Sequence, residues 1–149
     1  MALIRTTMAV PGDTPERSWS FSVRGEPQPK GSARAFVRNG RAIVTSDNPA
    51  VRRWEDTIRF VLQEWPYGIL AGSVSLVMIF TLVRPRSVSA KRRPFPTVKP
   101  DLSKLYRGAE DAMTGIVFAD DAQVIEALVG KVYGEAPGLR CEIRWSDGR

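Results

Sequence analysis

Apolar and polar residues alternate over Trp19-Ser20-Phe21-Ser22-Val23, the period of a strand with one buried face. Gly25-Glu26-Pro27-Gln28-Pro29-Lys30-Gly31-Ser32 interrupts that pattern with proline and glycine. Two short runs, Arg34 to Arg38 and Arg41 to Thr45, flank Asn39-Gly40, the dipeptide that most favours a tight hairpin. Asp47 or Asn48 can cap a helix that begins near Pro49. Val51, Trp54, Ile58, Val61, Leu62 and Trp65 recur at helical spacing until Pro66 and Gly68 end the run. Val74 to Val83 is almost continuously apolar, which predicts a central strand. Residues 84–100 carry no period. A second helix starts at Asp101 or Leu102, with Leu102, Leu105, Ala109, Ala112 and Met113 as its stripe and Thr114-Gly115 as its stop. Val124 to Tyr133 and Leu139 to Trp145 predict a terminal hairpin across Gly134-Glu135-Ala136-Pro137-Gly138.

Strands mixed with two main helices predict an α+β domain built around one mixed sheet. Residues 1–17, punctuated by Pro11-Gly12-Asp13 and Pro15, are expected to be a tail, leaving 18–149 as the single domain. No internal repeat is present. The longest apolar run is strand-sized and falls short of the roughly 20 residues of a membrane span. Nothing after Met1-Ala2-Leu3-Ile4-Arg5 resembles the core of a signal peptide, so a cytoplasmic protein is expected.

Composition narrows the chemistry. Lys and Arg number 22 against 16 Asp and Glu, for a net charge of +6, which favours a polyanionic partner such as nucleic acid. The chain has no histidine, which removes Ser-His-Asp triads, imidazole acid/base catalysis and His-ligated zinc. A single cysteine, Cys141, excludes an intrachain disulfide and cysteine-rich metal sites; its alternating surroundings mark it as a core residue. Carboxylate and lysine chemistry remains, and carboxylates suit a hard, oxygen-preferring cation.

The carboxylates gather where elements begin. Asp101 stands at the mouth of the second helix, and Asp120-Asp121 at the start of the strand that follows it. Adjacent acids repel, so a turn alone does not call for both. On a strand their side chains would face opposite ways, and Asp121 is taken as the one aimed at a metal. Asp101 also has a plain reading as a helix cap. Asp111 lies about 80° from the Ser103 stripe and reads as structural. Lys91, Arg92, Arg93 and Lys99, interleaved with Pro94, Phe95 and Pro96, form a cationic stretch expected to face DNA.

Two motifs resemble those of the RusA-like endodeoxyribonucleases, the Holliday-junction resolvases of bacteria and their phages. Pro27-Gln28-Pro29-Lys30-Gly31-Ser32 is similar to that family's P-x-P-K-G-[RS] turn. Lys99-Pro100-Asp101-Leu102-Ser103-Lys104-Leu105, Asp111-Ala112-Met113-Thr114 and Asp120-Asp121-Ala122-Gln123-Val124 resemble its [KR]-x-D-L-D-[KN]-L, D-A-L-T and D-D-x-Q-V blocks in order. The resemblance implies a RusA-like fold and a homodimer that binds branched DNA and nicks it symmetrically. It implies Mg²⁺, with Mn²⁺ as the alternative ion, held by Asp101 and Asp121 with Asp120 beside them. Two positions depart from the family. Its third aspartate falls at Ser103, a neutral oxygen, and its catalytic lysine at Arg107, which keeps charge but cannot exchange a proton. Glu110 lies within about 20° of the Ser103 stripe. It could act through water or through Arg107, or simply pair with Arg107 as an exposed helix glutamate. Lys30, Arg34 and Lys104 join the loop cations as expected DNA contacts. The alternative implied by Ser103 is a junction-binding protein that is catalytically weak or inactive.

Overall fold

In the computed structural model, residues 16–31, 34–45 and 48–146 are described. The tail expected over 1–17 lies outside them except for Glu16 and Arg17, which open strand β1 (Glu16–Arg24). Ser32 and Asp47 also lie outside the described residues, as does the side chain of Arg34.

Asn39 and Gly40 both take positive φ, 52° and 72°, the backbone a two-residue hairpin turn demands. They join β2 (Arg34–Arg38) to β3 (Arg41–Thr45) in register Arg38↔Arg41 to Arg34↔Thr45, as a two-stranded sheet of its own. Helix α1 (Pro49–Val61) follows, with Asn48 accepting from the Ala50 amide at 3.0 Å and Pro49 at its first turn. Its stripe of Val51, Trp54 and Ile58 is buried and continues through Leu62 and Trp65.

The main sheet contains β1, β4 (Val74–Leu82), β5 (Val124–Tyr133) and β6 (Gly138–Ser146) in the order β1-β6-β4-β5. β4 is interior, as its apolar run predicts, but it buries alternate residues: Val74, Leu76, Met78 and Phe80 face the core. The expected β5–β6 hairpin does not form. β5 pairs parallel with β4, and β6 inserts antiparallel between β4 and β1. The parallel pair requires a crossover, and helix α2 (Leu102–Met113) supplies it. A Gly- and Pro-rich connection is compatible with a tight hairpin or with a step across a neighbouring strand. The apolar face of β6 (Leu139, Cys141, Ile143, Trp145) decides, because both its neighbours bury matching faces. Cys141 is a core residue, and burial raises its thiol pKa.

Both helices lie on this face. Leu105, Ala109, Ala112 and Met113 of α2 are fully buried and Leu102 packs at the edge of the same cluster. Strand β5 is an outer strand of the sheet, and among the described residues no strand pairs with its free side. Ile125 and Leu128 on it are 64% and 50% exposed.

Candidate active site

The turn between α2 and β5 is built by hydrogen bonds that its own sequence provides. Thr114 ends α2 in an extended conformation, and Gly115 turns the chain with φ of 86°. Buried Val117 and Phe118 pin the return. Residues 121–123 then form a single 3₁₀ turn, so Asp120 and Asp121 precede β5 instead of lying on it. Asp120 Oδ1 accepts from the Ala122 amide at 2.8 Å, while Gln123 Oε1 accepts from the Ala119 and Asp120 amides. Gln123 Nε2 donates to Leu70 O at 2.7 Å and Gly72 O at 2.9 Å, tying the turn to the entrance of β4. One acid of the pair is therefore a cap. The Asp121 side chain is exposed and makes no hydrogen bond among the described residues. The opposed orientation expected of strand neighbours does not apply, since both line one open cleft of about 440 Å³.

The other walls of that cleft are Lys30, Arg59, Asp111, Thr114 and Ala119. The proline-rich turn after β1 lies along α2, with the Lys30 amide donating to Lys104 O at 3.0 Å. This directs the Lys30 ammonium between Glu55 of α1 (3.1 Å) and Asp111 of α2 (2.5 Å). Arg59 closes the network on Glu55 at 3.4 Å and on Asp56 at 3.1 Å. Burial lowers the Lys30 pKa, but hydrogen bonds and negative charge from Asp111 and Glu55 outweigh it and hold the ammonium above its ordinary value. Lys30, expected at a DNA phosphate, is thus engaged by two carboxylates. Asp111, read as structural from its angle on the helix, pairs with Lys30 and lines the same cleft as Asp120 and Asp121. Glu55 and Arg59 escaped the sequence reading. The signal was present: Glu55 stands on the buried stripe between Val51 and Ile58, where an unpaired charge is costly.

Glu110 does not pair with Arg107. It accepts from the Tyr106 hydroxyl at 2.9 Å, one turn away on α2. Burial raises the Glu110 pKa; Asp121 and Asp111 raise it further, against the Tyr106 hydrogen bond, which lowers it. Burial, the hydrogen bond to Glu110 and the charges of Glu110 and Asp121 raise the Tyr106 phenol. Glu110 thus lies within the field of Asp121. Arg107 is exposed, and no hydrogen bond or ion pair among the described residues engages it.

Asp101, Ser103 and Lys104 lie at the opposite end of α2. Asp101 takes the cap position without making a side-chain cap hydrogen bond and pairs with Lys104 at 3.5 Å, both exposed. Lys131, near the end of β5, donates to Val98 O at 2.7 Å and Pro100 O at 2.9 Å, which fixes the entry to α2 over that end of the strand. The preceding loop presents Lys91, Arg92 and Lys99 to solvent, with Arg93 half-buried. A helix of 12 residues is about 18 Å long, and β5 runs back along it. Asp101 and Asp121 therefore stand at opposite ends of one helix.

This spacing sets the fit of a divalent cation. Carboxylate and hydroxyl oxygens are the right donors for Mg²⁺, whose ligands sit at about 2.0–2.1 Å. Among the described residues no three acidic, cysteine or histidine side chains gather to hold a metal. The chemistry of the donor set fits, but the described residues do not gather it at one point.

Carboxylates, a cationic loop and an arginine are arranged around α2 in a basic α+β domain. Residues 25–144 match the family model described as Endodeoxyribonuclease RusA, and the chain belongs to that family. It is also similar to the uncharacterized protein YqaN of Bacillus subtilis (strain 168), 32% identical over 134 residues that cover 83% of this chain and 94% of that protein. Membership indicates endodeoxyribonuclease activity, in a family that binds branched DNA. No helix among the described residues is long and apolar enough to cross a membrane.

Proposed function

We propose that the protein is a Mg²⁺-dependent endonuclease that resolves four-way DNA junctions as a homodimer, each site being shared between two subunits. The observation that carries this reading is the separation of Asp101 from Asp121 along α2, combined with the open edge of β5. An unpaired edge strand offers its backbone to another strand, and the exposed Ile125 and Leu128 add apolar surface to it. Pairing β5 with its own copy about a two-fold axis is antiparallel. The start of one strand then meets the end of the other. Asp120 and Asp121 precede the start; Lys131, which holds the approach to Asp101, is near the end. A two-fold dimer thereby brings Asp121 to Asp101 and Ser103 of the partner subunit, twice, as symmetric nicking of a junction requires.

In this reading Asp121 and Asp101 of the partner subunit hold the ion, with Ser103 offering a neutral oxygen and Asp120 keeping the turn in place. Bound there, Mg²⁺, or Mn²⁺ in its stead, would supply a hard positive charge to polarise the scissile phosphate and make water a better nucleophile. Arg107, exposed on α2, clamps a phosphate oxygen pair and stabilises developing negative charge; it moves no proton. Asp121 acts through its charge on the neighbouring Glu110–Tyr106 pair. Lys91, Arg92, Lys99 and Lys104, with Arg34 and Arg93, hold the backbone through charge. Such an enzyme works where bacterial or phage DNA recombines, in the cytoplasm.

Purified protein with Mg²⁺ should nick synthetic four-way junctions, and Asp121→Asn should abolish nicking; robust cleavage by that variant removes Asp121 from the mechanism. The replacement of a family carboxylate by Ser103 supports a second reading, a silent junction binder. Salt-sensitive junction binding without nicking in Mg²⁺ or Mn²⁺, and activity gained on Ser103→Asp, would select it.

A further inference from the structure

Phe95 is 65% exposed, and its surroundings are unusual for a surface phenylalanine. It sits between Pro94 and Pro96 in the loop from β4 to α2, and Pro96 is buried. The loop is held at several points. Arg84 stacks over the Tyr133 ring at 4.6 Å and donates to Arg93 O at 3.2 Å and Pro94 O at 3.3 Å. The Thr97 amide donates to Phe95 O at 2.8 Å, and Lys131 holds Val98 O. The ring is thus presented on a fixed turn, with little conformational freedom left to lose on binding.

Charge tells what the ring meets. Residues 84–100 contain six cations and no acid, so this loop accounts for the whole +6 net charge; the remaining sixteen cations match sixteen acids. A polyanion is the surface this loop complements. A lone aromatic between prolines lacks the broad apolar face of a membrane-binding helix, whereas one ring is the right size to cover one base. Phe95 precedes Asp101 by six residues, a reach of no more than about 20 Å. We propose that Phe95 is a wedge that stacks on an unpaired or unstacked base at the branch point, one from each subunit, so that the protein recognises a junction by the bases it exposes. This specificity role rests on the junction-cleaving reading above and concerns recognition alone.

The test uses full-length protein in EDTA, at one salt concentration, on a four-way junction carrying 2-aminopurine at the branch point and on a continuous duplex. Wild type should prefer the junction and brighten the 2-aminopurine. Phe95→Ala should lose about tenfold in junction affinity and the fluorescence change, with duplex binding unaltered, while Phe95→Trp restores both. The exposed position leaves folding intact in either variant. If wild type shows no junction preference, the junction reading and the wedge fall together. If the preference exists and Phe95→Ala keeps it with full fluorescence change, the wedge alone falls. Unchanged DNA binding with loss of anionic-vesicle binding, or of dimer formation, would assign the ring to lipid or to the second copy and overturn the proposal.

Discussion

A shared site makes a sharp prediction about mixed dimers. Let one subunit carry Asp101→Asn and the other Asp121→Asn. If each site takes Asp101 from one chain and Asp121 from the other, this heterodimer has one site with both changes and one with neither. Both parent homodimers have two broken sites. The geometry sets the stakes: Asp101 stands at the start of α2, while Asp121 lines a cleft with Asp111 and Thr114 from its far end, and two oxygens on one Mg²⁺ are about 4 Å apart at most. Neither change threatens the fold. Asp101 makes no cap bond, its exposed pair with Lys104 is worth about 1 kcal/mol or less, and the Asp121 side chain makes no hydrogen bond among the described residues. The heterodimer, isolated through two different affinity tags, should regain roughly half the wild-type rate of first nicking. Its product should stop at junctions cut on one strand, because the second site is dead. A heterodimer as inactive as its parents would refute the shared site, and an active Asp101→Asn homodimer would remove Asp101 altogether.

Three further outcomes follow from the same geometry. Leu128→Lys puts a charge on the open β5 edge and should yield a folded monomer by light scattering that no longer nicks; an intact dimer would exclude this edge. Lys30→Met leaves the almost buried Glu55 facing Asp111 with Arg59 as its cation among the described residues, at a cost of about 2 kcal/mol, between the exposed and buried limits for broken ion pairs. Its Tm should fall by about 4–8 °C, and adding Glu55→Gln should recover part of that loss. Since the folded Lys30 pKa is raised, this stabilisation is complete below about pH 10.4 and is lost as pH climbs through the raised folded value. Glu110 is an acid whose folded pKa is likewise raised, so the sign is the same: it favours the fold when protonated, its contribution is complete below about pH 4.3 and is lost as pH rises through the folded value. Glu110→Gln keeps an acceptor for Tyr106 and should melt higher than wild type at pH 7 in EDTA, with the gap closing near pH 4.

By itself the sequence determined what depends on neighbours along the chain. Asn39-Gly40 set the hairpin, Asn48 and Pro49 started α1, and the 3.6-residue stripes drew both helices, because these signals are local backbone preferences and periodic burial. It also supplied the residue types of the site and the family resemblance carried by the Asp101 and Asp121 blocks. The tertiary structure decided everything that required choosing among distant partners. A Gly-Pro connection could not say that β6 would step past β4 to pair with β1, since strand pairing is settled by matching buried faces across the sheet. Nor could motif spacing say that α2 lies between Asp101 and Asp121, because a helix converts close sequence positions into a fixed length. Lys30 belonged to a readable motif, but its carboxylate partners come from α1 and α2, 25 and 81 positions away.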